Sequence, residues 1–189
     1  METFNDKDKN NQKLQYSILK YFWEANPIIQ RKKDTIPKFL RKLEIFNDFS
    51  EIELFIFSQY LHRRNYTEKE NIFKKGSLGI GFYLVQSGVV EVELENENIV
   101  LENGDYFGER ALLQDDNVRG VSTYSCSPRT ILLALFRPVL EEMIEKHPLV
   151  AAKLLQSLSK IIILRLAAIT AEVDKLKIQL QKGSHESRD

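Results

Sequence analysis

Glu109 and Arg119 stand ten residues apart in "GDYFGERALLQDDNVRG" (104–120), on either side of an apolar "ALL". A phosphate diester needs a cationic fork and backbone N–H donors, at a place where the chain can approach it without obstructing side chains. Arg119 supplies the fork, and Gly108, Ala111 and Gly120 supply small residues. Glu109 supplies a carboxylate that can accept from a sugar hydroxyl. A helical turn over 109–113 would aim its N-terminal amides at the anion while "ALL" packs inward. The competing reading is a mutual or local ion pair that shapes a turn, with Gly108 an ordinary turn glycine.

The elements that must hold this segment are short and β-rich. "NIFKKG", "FYLVQSG", "VVEVEL", "NIVLENG", "VSTYS" and "TILLAL" read as strands, punctuated by Gly76, Gly88 and Gly104. Strands this short and this evenly spaced predict a small antiparallel barrel or jelly roll. Before them, helical spacing runs over Gln12 to Glu24 and over about Ile36 to Leu43, and Ser50 reads as an N-cap with Glu53 in the capping-box position. After them, "RPVLEEMIEKH" returns to helix. Pro148 to about Gln181 is the longest periodic segment, with Leu155, Leu158, Ile162, Leu166, Ile169, Val173, Leu176 and Leu180 in steps of three and four. Such a helix cannot bury its stripe alone. The division expected is 1–35 tail and accessory helix, 36–147 β-roll with flanking helices, and 148–189 long helix and tail.

With 189 residues and 43% hydrophobic content, one globular domain with helical extensions is affordable. Twenty-seven basic residues balance twenty-seven acidic ones, so no global field draws the chain to nucleic acid or anionic lipid. The lone Cys126 reads as a small core residue near a strand and suits a reducing compartment. "METFNDKDKNNQKLQ" has no apolar signal region, and "IIILRLAAI" is broken by Arg165, so no membrane span is expected and the location expected is cytoplasmic.

The order of elements resembles the cyclic nucleotide-binding domain family over roughly Ile36 to Leu176. The most specific likeness is "FGERALLQDDNVRG", similar to the family's phosphate-binding cassette: Phe-Gly-Glu, an apolar stretch, then an arginine nine or ten residues after the glutamate. "IFKKGSLGIGFYLVQSGVVEV" is similar to its glycine-turn signature. The resemblance implies an α+β fold, an eight-stranded β jelly roll with N-terminal helices and a long C-terminal dimerisation helix. It implies that the ligand is a cyclic mononucleotide, with no metal or other cofactor. Phe107, Gly108, Glu109, Arg110, Ala111, Arg119, Gly120 and Val121 would line its site. Glu109 would accept the ribose 2'-hydroxyl, Arg119 would pair with the cyclic phosphate, and the amides of Arg110 and Ala111 would assist. The long helix would cap the base near Ile162, Arg165, Leu166 or Ile169.

The sequence also departs from the family pattern. Ser77 and Leu78 replace a frequent acid, Arg110 takes a position more often apolar, and Gly120 follows the arginine where a Ser, Thr or Ala is usual. Without a hydroxyl at Gly120 the preference leans to cyclic AMP over cyclic GMP, although Ser122 and Thr123 offer hydroxyls nearby.

An enzyme of the cupin type would need clustered metal ligands, and His62, His147 and His185 are scattered. No Ser or Cys has a nucleophile's setting. The few residues after Val173 are too short for a helix-turn-helix domain. The expectation is therefore a sensor, not an enzyme, that dimerises through the Pro148 to Gln181 helix and acts on a protein target whose identity the sequence does not give. The alternative is a degenerate domain kept for dimerisation.

Overall fold

The structure is a computed structural model describing residues 36–95, 97–114 and 118–186. The segment 1–35, with the helix expected over Gln12 to Glu24, lies outside the described residues.

Helix α1 (Ile36–Leu40) leads through a 3-10 turn at Glu44–Phe46 to α2 (Glu51–Gln59). The helix expected to reach Leu43 stops at Leu40, where the bonds from Lys42 N to Phe39 O and from Leu43 N to Leu40 O tighten the chain into a turn. That turn lets Leu40, Leu43 and Phe46 all enter one core, so tertiary packing overrides helical spacing. Helix α2 carries the expected capping box: Ser50 Oγ accepts from the Glu53 amide, and the Ser50 amide donates to Glu53 Oε2 at 2.7 Å.

Eight strands follow: β1 (His62–Tyr66), β2 (Asn71–Phe73), β3 (Gly81–Ser87), β4 (Val90–Glu93), β5 (Ile99–Leu101), β6 (Tyr106–Phe107), β7 (Ser122–Ser125) and β8 (Thr130–Phe136). They form two antiparallel four-stranded sheets, ordered β1-β8-β3-β6 and β2-β7-β4-β5, which make the jelly roll. Two of these strands escaped the sequence reading. "HRRNY" of β1 is too polar to announce itself, and β6 is two residues long. Between β6 and β7 lies the short helix α3 (Arg110–Leu113), the helical turn expected in the cassette.

Helices α4 (Arg137–Lys146) and α5 (Pro148–Glu186) close the chain, α5 running past the expected end near Gln181. Strands β3 and β8 divide the core. Phe82, Leu84, Leu133 and Leu135 face the helices, while Tyr83, Val85, Leu132 and Ala134 face the interior of the roll with Val90 and Phe107. Cys126 is only half-buried, because it follows β7 rather than lying inside it. Its thiol donates to Glu91 Oε2 at 3.2 Å, and burial, then Glu91, push its pKa up to about 11.

The first turns of α5 belong to the domain: Val150, Ala151, Leu154 and Leu158 are buried, and Leu155 packs on the same core. Leu155 and Leu158, read as the start of a dimer seam, are therefore already used. Within Pro148–Gln179 an 18-residue window of mean hydropathy 1.6 makes the helix long and apolar enough to cross a membrane, contrary to the sequence reading that Arg165 rules this out. Its buried first turns and its ion pairs instead dock it on the domain. Lys153 Nζ lies 2.8 Å from Glu53 Oε2, and Lys160 Nζ 3.0 Å from Asp48 Oδ2.

The Lys153 ammonium first, and the Ser50 amide next, hold the Glu53 carboxyl at about 2, below its ordinary 4.5. A carboxyl depressed in the folded state contributes stability that is fully present above its unfolded pKa and lost as pH falls through the folded one. Glu53→Gln should accordingly lower the melting temperature at neutral pH and flatten its decline between pH 4.5 and 2. Identical acid slopes for wild type and variant would refute this.

Candidate ligand site

The chain approaches Arg119 from three sides. Strand β6 delivers Phe107 and Gly108 to the start of α3, and Gly108 has φ +80°. A Cβ there would lie 2.8 Å from both Arg119 Nη1 and the Gly81 carbonyl oxygen, so only glycine lets the cassette close over the guanidinium. Arg119 Nη2 donates to Gly81 O at 2.7 Å. The guanidinium carbon lies 4.0 Å from the Phe73 ring centroid and 5.8 Å from that of Tyr83. Those rings are buttressed by Phe107, which stacks on Tyr83 at 5.2 Å.

The result is a cation 6% exposed, whose Nε has no hydrogen-bond partner among the described residues. Burial pushes the Arg119 pKa below its ordinary value, with Tyr83 and Glu109 opposing that shift, and a guanidinium stays charged regardless. A buried, incompletely bonded cation costs free energy until an anion meets it.

Glu109 and Arg119 do not pair with each other, which removes the mutual ion pair considered from sequence. Glu109, N-cap of α3 and largely buried, is reached from α5: Arg165 Nη1 lies 2.5 Å from its Oε1. The Arg165 guanidinium also lies 5.2 Å from the Tyr106 ring centroid. The long helix thus meets the cassette at Arg165, through the carboxylate assigned to the ribose.

A cavity of about 210 Å³ adjoins these groups. Phe107, Gly108, Glu109, Arg110, Arg119, Gly120 and Val121, all named from sequence, line it. Ala111 does not: it is buried, and its amide donates to Gly108 O at 3.1 Å. The assisting role that the resemblance gives that amide would require this bond to open. Arg110 turns its guanidinium to Gln114, 3.1 Å away. Beside Gly120 the space is open.

Phe73, Val92, Val118 and Thr123 complete the wall. Alternation along β7 was the signal for the last of these, since Val121, Thr123 and Ser125 share a face. Arg137 had no local signal. At the start of α4, its Nε donates to Ala111 O at 3.1 Å and its Nη2 to Gln114 O, satisfying the carbonyl end of α3 from the helix that leads into α5. Among the described residues no group of three His, Cys, Asp or Glu side chains could hold a metal ion.

A family model described as the cyclic nucleotide-binding domain matches residues 63–147. The Cyclic AMP receptor protein of Thermus thermophilus is 33% identical over 141 residues, covering 71% of this chain and 62% of that protein. A cGMP-dependent protein kinase of Eimeria tenella is 28% identical over 108 residues, 57% of this chain and 11% of the kinase. Among solved structures, the Thermus thermophilus Catabolite Activator Protein superposes with a TM-score of 0.60 at 33% identity, over 70% of this chain and 62% of that one. The regulatory domain of Toxoplasma gondii PKA with cAMP gives 0.54 at 21% identity, over 69% of this chain and 51% of that one, a likeness of fold alone. The chain spans less than two thirds of each of these relatives.

Proposed function

Residues 63–147 form a domain of the cyclic nucleotide-binding family, and from that premise we propose that the chain is a cyclic AMP sensor that signals through α5 to a protein partner. The observation that carries the reading is Arg119, a buried cation with an unpaired Nε, which lines a cavity together with the carboxylate residue Glu109. The cyclic phosphate takes Arg119, and the ribose 2'-hydroxyl donates to Glu109. To free Glu109, Arg165 must give up its bond, so ligand entry is coupled to the position of α5. Gly120 offers no side-chain hydroxyl, which favours adenine over guanine.

The site would act as a binding site rather than a catalytic one. The chain would work in the cytoplasm as a homodimer through α5, whose exposed Ile163, Leu166, Ile169, Val173 and Leu176 lie beyond the reach of the domain core. Calorimetry with cyclic AMP and cyclic GMP tests the proposal directly. One site per chain, tighter for cyclic AMP, is expected. No heat with either at high micromolar ligand would favour the second reading, an interaction module that no longer binds nucleotide. Two observations speak for that reading: the Glu109 carboxylate is already taken by Arg165, and the cavity is smaller than the roughly 300 Å³ at which ligand pockets usually begin.

A further inference from the structure

We infer that the Thr123 hydroxyl is a phosphate donor of this site, completing the anion subsite that Arg119 begins; the inference rests on the nucleotide-binding reading above. Thr123 is fully buried, its Oγ1 has no hydrogen-bond partner among the described residues, and the residue lines the same cavity as Arg119. A buried hydroxyl left unpaired has lost its water without gaining a partner, so its placement in the wall of a cavity calls for a partner inside it.

The register of the sheet says which part of the ligand that partner is. Thr123 is the direct cross-strand partner of Phe73 on one side and of Val92 on the other. Directly opposed residues project from the same face of a sheet, so Phe73, Thr123 and Val92 form one row across the cavity floor. Phe73 is the ring beneath the Arg119 guanidinium. The hydroxyl therefore sits one strand from the cation, at the anion end of the cavity.

Two of the residues that line this cavity, Arg119 and Thr123, each carry an unpaired buried polar atom, Nε and Oγ1, and both atoms are able to donate. An anionic phosphate oxygen accepts from both, and the hydroxyl bond to it is charge-assisted. Ser122, the adjacent hydroxyl, accepts from the Lys75 amide at 3.2 Å and does not line the cavity. Thr123 thus does not stand in for a base-reading hydroxyl at Gly120. It would act on the part common to every cyclic nucleotide.

The test is calorimetry of the full chain with cyclic AMP and cyclic GMP, for wild type, Thr123→Val and Thr123→Ser. Thr123→Val keeps the shape, and thermal melting without ligand checks that it folds. The expected result is a loss of about tenfold or more in affinity, by the same factor for both nucleotides, with Thr123→Ser restoring it. A loss confined to one nucleotide would place the hydroxyl on the base and overturn the assignment. Unchanged affinity in Thr123→Val would overturn it too, while leaving the nucleotide-binding reading intact. If wild type binds neither nucleotide, both readings fall. Should Thr123→Val fail to fold, Thr123→Ser and Thr123→Ala decide by the same comparison of the two ligands.

Discussion

Arg119→Ala should weaken cyclic AMP binding by about 2–5 kcal/mol, roughly thirtyfold to several thousandfold, the usual loss when one partner of a buried charge pair is removed. The stability of the free protein tells a ligand-directed arginine from a structural one. Among the described residues Arg119 donates to one carbonyl, Gly81 O, through Nη2, while its Nε goes unpaired and its desolvation outweighs the opposing pull of Tyr83 and Glu109. Truncation should therefore change the melting temperature of free protein little while abolishing the shift that nucleotide produces. Arg119→Lys should recover little, because an ammonium lacks the planar fork that stacks on Phe73 and bonds at two nitrogens. A variant that binds cyclic AMP as wild type does would remove Arg119 from the site.

Light scattering at tens of micromolar should report about twice the 22.0 kDa chain mass for wild type and a single chain for Ile169→Glu with Val173→Glu. Ile169 is 62% exposed and Val173 42% exposed, on a helix segment past the turns of α5 that the domain core buries. Each such side chain that becomes buried on pairing contributes about 1.5–3 kcal/mol, and a two-fold pairing buries it twice. Charges at both positions would turn that gain into a desolvation cost. Wild type running as a monomer would contradict the dimer, and a double variant that remained dimeric would move the interface elsewhere.

What was legible in the sequence followed from local spacing. The capping box at Ser50 and Glu53, the α3 turn and the long helix each rest on residues close together in the chain. The cassette could be read for the same reason: Phe107 to Val121 lie within one short segment. What escaped depends on contacts between distant segments. Arg165 lies 56 residues beyond Glu109, and nothing in its own neighbourhood says which carboxylate it will meet. The rings under Arg119 come from β2 and β3, so the aromatic floor appears only once the sheets are paired. Phe73 and Thr123 become neighbours through the register of β2 and β7 alone. Similarly, Leu155 and Leu158 fit a seam pattern perfectly well, and only the position of α2 and the core beside them decides that they stay inside the domain.

If nucleotide takes Glu109 as proposed, the Arg165 to Glu109 contact also sets how sharply this domain can respond. Coupling between two sites is reciprocal: whatever holds α5 so that Arg165 stays on Glu109 must weaken nucleotide binding by the same factor by which nucleotide displaces the helix. The factor is bounded by the strength of the contact. The Arg165 side chain is 48% exposed, and an ion pair open to solvent on one side contributes about 1 kcal/mol or less, roughly a fivefold effect. Driving an equilibrium from one extreme to the other takes about 10⁴-fold. One such pair therefore makes a dimmer rather than a switch: helix position would shift in proportion to occupancy. Any all-or-none output would have to be assembled by joining two chains, so that their small preferences multiply.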